Sequence, residues 1–441
     1  MKKIAWLLAT TFFATPLLAA DLLQIYREAQ DNDPTYAAAR ASLEAGREKA
    51  PQALAGLLPS LSLSGNTTWN SNELAIHNGA ALSRPQYNAN AWQLTLSQPL
   101  FRWQNWVSHD QASLQVLQAE ASFAQARQDL ILRVAQAYFD VLNAQESLAA
   151  VRANKLAIGQ QLELARKSFE VGTATITDTH EAQARFDLAS AQEIAAESDL
   201  EVRQHTLRAI VGKEAGSLAP LRKEANLTRP QPEAMNDWVS AAEKDSLNVQ
   251  IQQAAADIAA REVDKQRAGH YPTVDLVANY GHSKNYATTG FLVDTDFQNA
   301  GIQVNIPLFS GGLTASRQRE ASANRAAAQS SLEAAKRNST LAARQYYLGV
   351  TNGLAQVNAL QAALTSSQSA LESNKLGYEV GVRINIDVLN AENQVYVTRR
   401  DLAKAKFDTL MAQLRLKAAV GALGDEDLER VSGLLDPGAA K

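Results

Sequence analysis

Cysteine is absent from this chain of 441 residues. Its absence excludes structural disulfides, thiolate nucleophiles and cysteine-ligated metals, and also the acylated cysteine that anchors a lipoprotein. Beyond the first 20 residues, no run approaches the roughly 18 to 20 apolar residues of a membrane-spanning helix. Aromatic residues make up only 6%, and long segments rich in alanine, glutamine and leucine hold hardly any glycine or proline. This composition favours long helices with narrow apolar seams over a thick globular core.

Charge and motifs argue against several classes of function. The formal net charge of -4 disfavours nucleic-acid binding. Six histidines, at positions 77, 109, 180, 205, 270 and 282, lack the paired helical spacing of a zinc site. No nucleophile elbow, phosphate-binding glycine loop or dinucleotide fingerprint is present. The sequence therefore predicts no catalytic residue, no metal and no cofactor, and a protein that is not an enzyme.

The first 20 residues have the pattern of a secretory signal peptide. Lys2 and Lys3 precede an apolar run over residues 4–13, and the small pair Ala19-Ala20 follows. We expect cleavage near Ala20 and, in a Gram-negative host, a mature chain in the periplasm or beyond.

The remaining chain carries one pattern twice. Equivalent segments are 58–63 (LPSLSL) and 271–276 (YPTVDL), 98–101 (QPLF) and 306–309 (IPLF), 169–172 (FEVG) and 378–381 (YEVG), and 211–212 and 420–421 (both VG). Equivalent residues in these pairs are separated by 213, 208, 209 and 209 positions. So constant a spacing indicates a duplicated unit. We predict a first repeat over 21–212, a linker and equatorial region over 213–232, a second repeat over 233–430 and a tail over 431–441.

Each repeat is predicted to run helix, strand, strand, very long helix, glycine turn, helix. The first repeat has a helix over 21–57, strands near 60–70 and 90–100, and helices over 103–169 and 178–211. The second repeat has strands near 272–284 and 299–309, and helices over 313–378 and 384–420. At about 1.5 Å per residue the long helix reaches roughly 100 Å. The two shorter helices of the first repeat would match it if stacked end to end, which gives a tube wall as a hypothesis.

The strands alternate apolar and polar residues. In one of them, Trp92 and Leu94 alternate with Gln93 and Thr95. A small soluble sheet and a membrane-spanning sheet both fit this alternation. Strand lengths of about 10 to 12 residues favour the membrane. Four strands cannot close a barrel in lipid, but three chains would supply twelve.

Six short motifs in order resemble the TolC family of outer-membrane factors. They are 21–29 (DLLQIYREA), 137–144 (AYFDVLNA), 169–173 (FEVGT), 176–178 (ITD), 377–383 (GYEVGVR) and 387–389 (DVL). The resemblance covers roughly residues 21–430. It implies a mainly α fold with a small transmembrane β part: a homotrimeric 12-stranded barrel and a coiled-coil helical tunnel that projects into the periplasm from the outer membrane. The missing lipoprotein cysteine fits the TolC-like branch better than the acylated drug-efflux branch.

The resemblance also implies a function and partners. Such a channel-tunnel serves type I protein secretion, multidrug efflux or both. It works with a periplasmic adaptor (membrane fusion) protein and an inner-membrane ABC or proton-driven transporter, and it opens at its periplasmic tip. Neither of two alternatives explains the pattern as well. A passive porin leaves the helices unexplained, and a periplasmic coiled-coil scaffold or adaptor without a pore leaves the strand pairs unexplained.

Residue roles follow from the resemblance by position. A tip latch is expected at Thr177, Asp178, Tyr378 and Arg383. A pore constriction is expected at Asp387 and at Asn390, where many relatives carry a second aspartate. Adaptor-docking turns are expected at Val171, Gly172, Thr173, Val380, Gly381 and Arg383. Plainer roles compete with these: the glycines end helices, Asp178 caps one, and Arg383 and Asp387 are solvated surface charges.

Overall fold

The computed structural model describes residues 19–71, 73–74, 82–83, 86–222, 224–286, 292–436 and 438. The predicted signal peptide therefore lies outside the described residues except for Ala19 and Ala20. The chain divides into two units. Unit 1 comprises Met1–Ala39, Ala124–Leu247 and Asn338–Lys441, and unit 2 comprises Arg40–Phe123 and Asn248–Arg337.

The described residues form ten α-helices and six strands. Helices are α1 (Leu22–Asn32), α2 (Pro34–Arg47), α3 (Lys49–Ala55), α4 (Trp103–Glu170), α5 (Ile176–Val211), α6 (Met235–Asp245), α7 (Leu247–Arg267), α8 (Leu313–Glu379), α9 (Asn385–Ala419) and α10 (Asp425–Ser432). Strands are β1 (Ser60–Asn70), β2 (Glu73–Leu74), β3 (Leu82–Ser83), β4 (Tyr87–Phe101), β5 (Thr273–Tyr286) and β6 (Leu292–Asn305). Within the described ranges, none of the helices is both long and apolar enough to cross a membrane.

The single helix expected over residues 21–57 is instead three helices, so that expectation was wrong. Asp33 adopts an extended conformation (ψ 117°) between α1 and α2. Pro34 follows it, and the residue before a proline is pushed out of the helical region. The Asp33 carboxylate then accepts a hydrogen bond from the Tyr36 backbone N–H at 2.7 Å and so caps the start of α2.

Unit 2 contains a four-stranded antiparallel sheet in the order β1-β4-β5-β6. The register places apolar residues in one row, Leu61, Leu96, Ala278 and Ala300, and polar residues in the next row, Ser62, Thr95, Asn279 and Asn299. Because side chains alternate between faces, one face is apolar and the other polar. On the polar face, Thr95 donates to Asn279 at 2.9 Å, and Asn279 donates to Asn299 at 2.9 Å. The predicted fold class, mainly helical with a small four-stranded part, is confirmed.

Unit 1 has its core where α1, α4 and α9 meet. Tyr26, Tyr138 and Phe139 are almost fully buried, and Phe139 stacks on Phe407 with ring centroids 5.5 Å apart. The Tyr138 hydroxyl donates to the Ala219 carbonyl at 2.9 Å, and burial raises the pKa of this phenol. Apolar residues recur along α4 at alternating spacings of four and three, which predicts a coiled-coil seam. Of its seven residues, Val151 is half-buried and the other six are buried: Leu130, Val134, Ala137, Val141, Ala144 and Leu148. Apolar burial at heptad spacing therefore holds this helix in place.

An ion pair between a buried carboxylate and a partly exposed guanidinium joins the junction of α1 and α2 to α4. The Asp33 carboxylate, 3% exposed, accepts hydrogen bonds from Arg133 at 2.8 and 3.1 Å. Burial acts to raise the pKa of Asp33, but hydrogen bonds from Arg133 and from backbone N–H groups outweigh it, so this pKa lies below its ordinary value. The carboxylate therefore stabilises the fold above its ordinary pKa, and this contribution is lost as the pH falls through the lowered one.

We expect Arg133→Met to lower the free energy of unfolding by about 3 kcal/mol at pH 7, because it leaves a buried carboxylate without its counter-charge. The difference from wild type should shrink at acidic pH, where Asp33 takes up a proton. Thermal unfolding in detergent, followed by circular dichroism at both pH values, measures this. Arg47→Met is the matched control, since its partner Glu120 is 45% exposed. Equal losses from the two substitutions would contradict the assignment.

Candidate functional site: two helical hairpin tips

Two turns of identical backbone geometry reverse the long helices of unit 1. One joins α4 to α5 over residues 171–175, and the other joins α8 to α9 over residues 380–384. Gly172 and Gly381 have φ of 76° and 79°, a left-handed conformation that glycine adopts without steric cost. Four backbone hydrogen bonds recur at equivalent positions of the two turns. In the first turn, the N–H groups of residues 171, 172, 173 and 174 donate to the carbonyls of residues 167, 169, 168 and 168, respectively. In the second turn, the N–H groups of residues 380, 381, 382 and 383 donate to the carbonyls of residues 376, 378, 377 and 377, respectively. The two repeats therefore share the same backbone conformation and hydrogen bonds at their turns.

The first tip is closed by a capping box. The Thr175 hydroxyl accepts from the Asp178 backbone N–H at 3.2 Å, and Asp178 Oδ2 accepts from the Thr175 backbone N–H at 2.9 Å. The Thr175 hydroxyl also donates to the same Oδ2 at 2.8 Å. Asp178 thus satisfies two donors at the start of α5.

The second tip has lost this cap. Ile384 stands where the first tip has Thr175, and its side chain makes no capping hydrogen bond. Asp387, the counterpart of Asp178, instead lies with Oδ2 3.6 Å from Arg383 Nη1. Arg383 packs across Gly377, where an added Cβ would lie 2.7 Å from its Cγ. Because Ile384 cannot form the capping hydrogen bond, the Asp387 carboxylate lies near the Arg383 guanidinium instead.

The predicted latch residues are not joined to one another within one chain. Thr177 is exposed and Tyr378 is half-buried. Among the described residues, neither side chain has a hydrogen-bond partner. Asp178 is engaged in its capping box and Arg383 faces Asp387. The latch remains a prediction, and its hydrogen bonds and ion pairs would have to form between different chains.

The predicted constriction residues lie one helical turn apart on α9. Asp387 is half-buried and Asn390 is exposed. Arg185 of α5 donates from Nη2 to Asn390 Oδ1 at 3.1 Å. Sequence reasoning missed this arginine, because no spacing rule relates residues that lie in different repeats.

A second missed feature ties α8 to α9 just beyond the turn. Lys375 Nζ lies 2.9 Å from Glu392 Oε1, and the Glu392 side chain is 4% exposed. Glu392 Oε2 is buried and has no partner among the described residues. In the described part of the chain, no group of His, Asp and Glu side chains is arranged to hold a metal ion.

Both tips expose apolar side chains. They are Phe169, Val171, Ile176, Leu376, Val380, Val382 and Ile384, with exposed fractions from 43% to 78%. Gly172, Thr173, Gly381 and Arg383 are also exposed. A group of exposed apolar residues at a rigid turn is typical of a protein interaction site.

The chain combines a short antiparallel sheet of two-faced strands with two helices of 68 and 67 residues, each of which reverses at a glycine turn into a helix about half as long. This combination defines the class of outer-membrane channel-tunnels. The chain belongs to the outer membrane efflux protein family, whose model matches residues 25–213 and 238–422.

Individual relatives and solved structures agree. The chain is similar to the outer membrane protein TolC of Vibrio cholerae, with 34% identity and 98% of each chain covered. It is 32% identical to the alkaline protease secretion protein AprF of Pseudomonas aeruginosa, over 94% of this chain and 87% of the relative. Its fold is similar to the crystal structure of VceC from Vibrio cholerae, with a TM-score of 0.78 and 21% identity over 91% and 96% of the two chains.

The protein is therefore an outer-membrane export channel, in a family of channels rather than enzymes. The resemblance to the TolC family predicted from short motifs is confirmed, and so is the outer-membrane location. The alternative of a periplasmic scaffold without a pore is not favoured.

The capping box predicts a difference between the tips. Thr175→Ala should lower amide hydrogen-exchange protection over residues 176–180 by roughly fivefold, since a threonine cap contributes about 1 kcal/mol. Ile384→Thr should raise protection at the start of α9, because it offers Asp387 the partner that Asp178 has. Exchange measured by mass spectrometry tests both. Thr206→Ala, which removes an exposed threonine farther along α5, is the control, and an equal loss of protection over residues 176–180 in that variant would refute the cap.

Proposed function

We propose that three copies of this chain form a gated channel that receives cargo from an inner-membrane transporter through a periplasmic adaptor. The sheet supplies the membrane pore, and the two hairpin tips supply the gate and the docking surface. The observation that carries the proposal is the sheet of unit 2. It has an apolar face and a polar face, yet its edge strands have no partner on their outer sides.

The edges argue for the trimer. Within the described residues, β1 and β6 each pair with one strand only. In hydrocarbon each unpaired backbone group costs several kcal/mol, so a spanning sheet must close. Pairing of β6 with β1 of the next copy would close it, and three copies of four strands give the even number typical of outer-membrane barrels. The apolar row through Leu61 and Leu96 would then face lipid, and the polar row through Thr95 and Asn279 would face water.

The latch is proposed to form between neighbouring copies. Tyr378 is half-buried and lacks a partner in the described chain, although a phenol usually finds one. Asp178 uses only Oδ2 in its capping box, so Oδ1 can accept a further hydrogen bond. Arg383 lies 3.6 Å from Asp387, a loose ion pair between largely solvated groups. Tyr378 and Arg383 of one copy facing Thr177 and Asp178 of the next would satisfy all four, and threefold repetition would hold the tip closed.

The tips are proposed to dock the adaptor. The exposed apolar residues surround Gly172 and Gly381, so a partner with an apolar hairpin could cover them and shift the balance between closed and open tips. The transporter behind the adaptor is an ABC or proton-driven pump. The similarity to a protease secretion protein favours type I protein secretion, and the family description favours efflux, so the proposal includes both.

Edge pairing can be tested directly because the chain has no cysteine. We expect the double substitution Ser62→Cys with Gln303→Cys, on β1 and β6, to give covalent dimers and trimers with a short bis-maleimide in outer-membrane fractions. Chains carrying either cysteine alone are the controls and should give far less of the trimer. A double variant that stays monomeric on the gel would oppose the barrel.

The gate can be tested by conductance. We expect Tyr378→Phe combined with Arg383→Glu to raise single-channel conductance in planar bilayers several-fold, because the first removes a hydrogen bond and the second places a carboxylate against Asp178. Tyr346→Phe with Arg344→Glu, the same chemical changes farther along α8, is the matched control and should leave conductance unchanged. Unchanged conductance in the tip variant would rule out the latch.

A further inference from the structure

We propose that Arg185 sets the ion selectivity of the constriction, so that the channel admits anionic solutes at least as readily as cations. This inference rests on the proposed function and on the expectation, implied by the family resemblance, that Asp387 and Asn390 of three copies line the pore constriction. It adds a residue of the first repeat to a constriction otherwise built by the second.

The position of Arg185 is fixed by the packing of its neighbours. Phe186 and Ala189 of α5 pack in one apolar cluster with Leu389 of α9. Arg185 and Asn390 each stand next to a member of that cluster, and the guanidinium reaches the amide oxygen at 3.1 Å. The apolar cluster therefore holds the backbone on both sides of this hydrogen bond, and the Arg185 guanidinium is fixed in position beside Asn390.

The charged side chains around the constriction do not form a ring of net negative charge. Asp387 has the guanidinium of Arg383 at 3.6 Å. Arg185 donates to a neutral amide, and no carboxylate in the described chain lies within 4 Å of its guanidinium. Each copy thus offers the Asp387 carboxylate and the Arg185 guanidinium, while Arg383 lies between Asp387 and, in the proposed latch, Asp178 of the next copy. Rings of charged side chains select ions of the opposite sign, and this set carries no excess of negative charge.

The neutral Asn390 and the positive Arg185 act together. A carboxylate at position 390 would form an ion pair with Arg185, which would neutralise its charge. Asn390→Asp would therefore add a second ring of negative charge, beside that of Asp387, only if Arg185 were also replaced by a neutral residue. The two substitutions should be non-additive, because each changes the charge that the other meets.

The test is the reversal potential of the full-length protein in planar bilayers under a KCl gradient. Wild type should show a potassium to chloride permeability ratio near or below one and weak block by a trivalent cation. Arg185→Gln should raise the ratio by roughly threefold, and Asn390→Asp should raise it far more in the Arg185→Gln background than alone. Arg185→Lys keeps the charge and should keep the wild-type ratio, which separates charge from packing.

Arg208→Gln is the matched control on the same helix, because it removes an exposed arginine that pairs with Glu214. It should leave the ratio unchanged. If wild-type channels are strongly cation-selective and Arg185→Gln leaves the permeability ratio unchanged, this inference is overturned while the proposed function stands. Absence of channels in every variant would overturn the proposed function and this inference with it.

Discussion

A sheet of four antiparallel strands leaves backbone N–H and C=O groups unpaired along both of its edges. In water these groups are solvated at little cost, but in a bilayer nothing replaces the missing partners. β1 and β6 are of this kind, and they belong to a sheet with one apolar face. In a bilayer, pairing of these edges would require more than one copy of the chain. The proposed trimer, its shared pore and a gate made of facing copies all depend on this requirement.

The duplicated chain uses one backbone design for two purposes. Both tips reverse through a left-handed glycine with the same four hydrogen bonds. At the first tip, Thr175 binds Asp178 into a capping box, which gives a stable end. At the second tip, Ile384 offers no such bond, and Asp387 faces Arg383 instead. The two turns thus share one backbone geometry, while the residues at positions 175 and 384 give them different side-chain contacts.

Buried carboxylates paired with partly exposed cations mark the places where helices of unit 1 are held in one register. Asp33 with Arg133 fixes the junction of α1 and α2 on α4, and Lys375 with Glu392 fixes α8 on α9 near the tip. Such pairs add little net stability compared with apolar packing, but a shifted register would leave a charge buried and unpaired. Glu392 already leaves one oxygen without a partner in the described chain.

The amino-acid sequence by itself determined the features that depend on local pattern. Its repeat spacing, its heptad seam and its glycines gave the long helices and the turns at 172 and 381, because propensity and periodicity act within a few residues. The break at Asp33 was also local, since Pro34 forces it, and the capping box was visible as threonine followed three residues later by aspartate. Only the tertiary structure decided that Arg185 meets Asn390 and that Lys375 meets Glu392. Those contacts depend on which faces of separate helices pack together, and that choice is made by the whole apolar interface rather than by any residue near them in the chain.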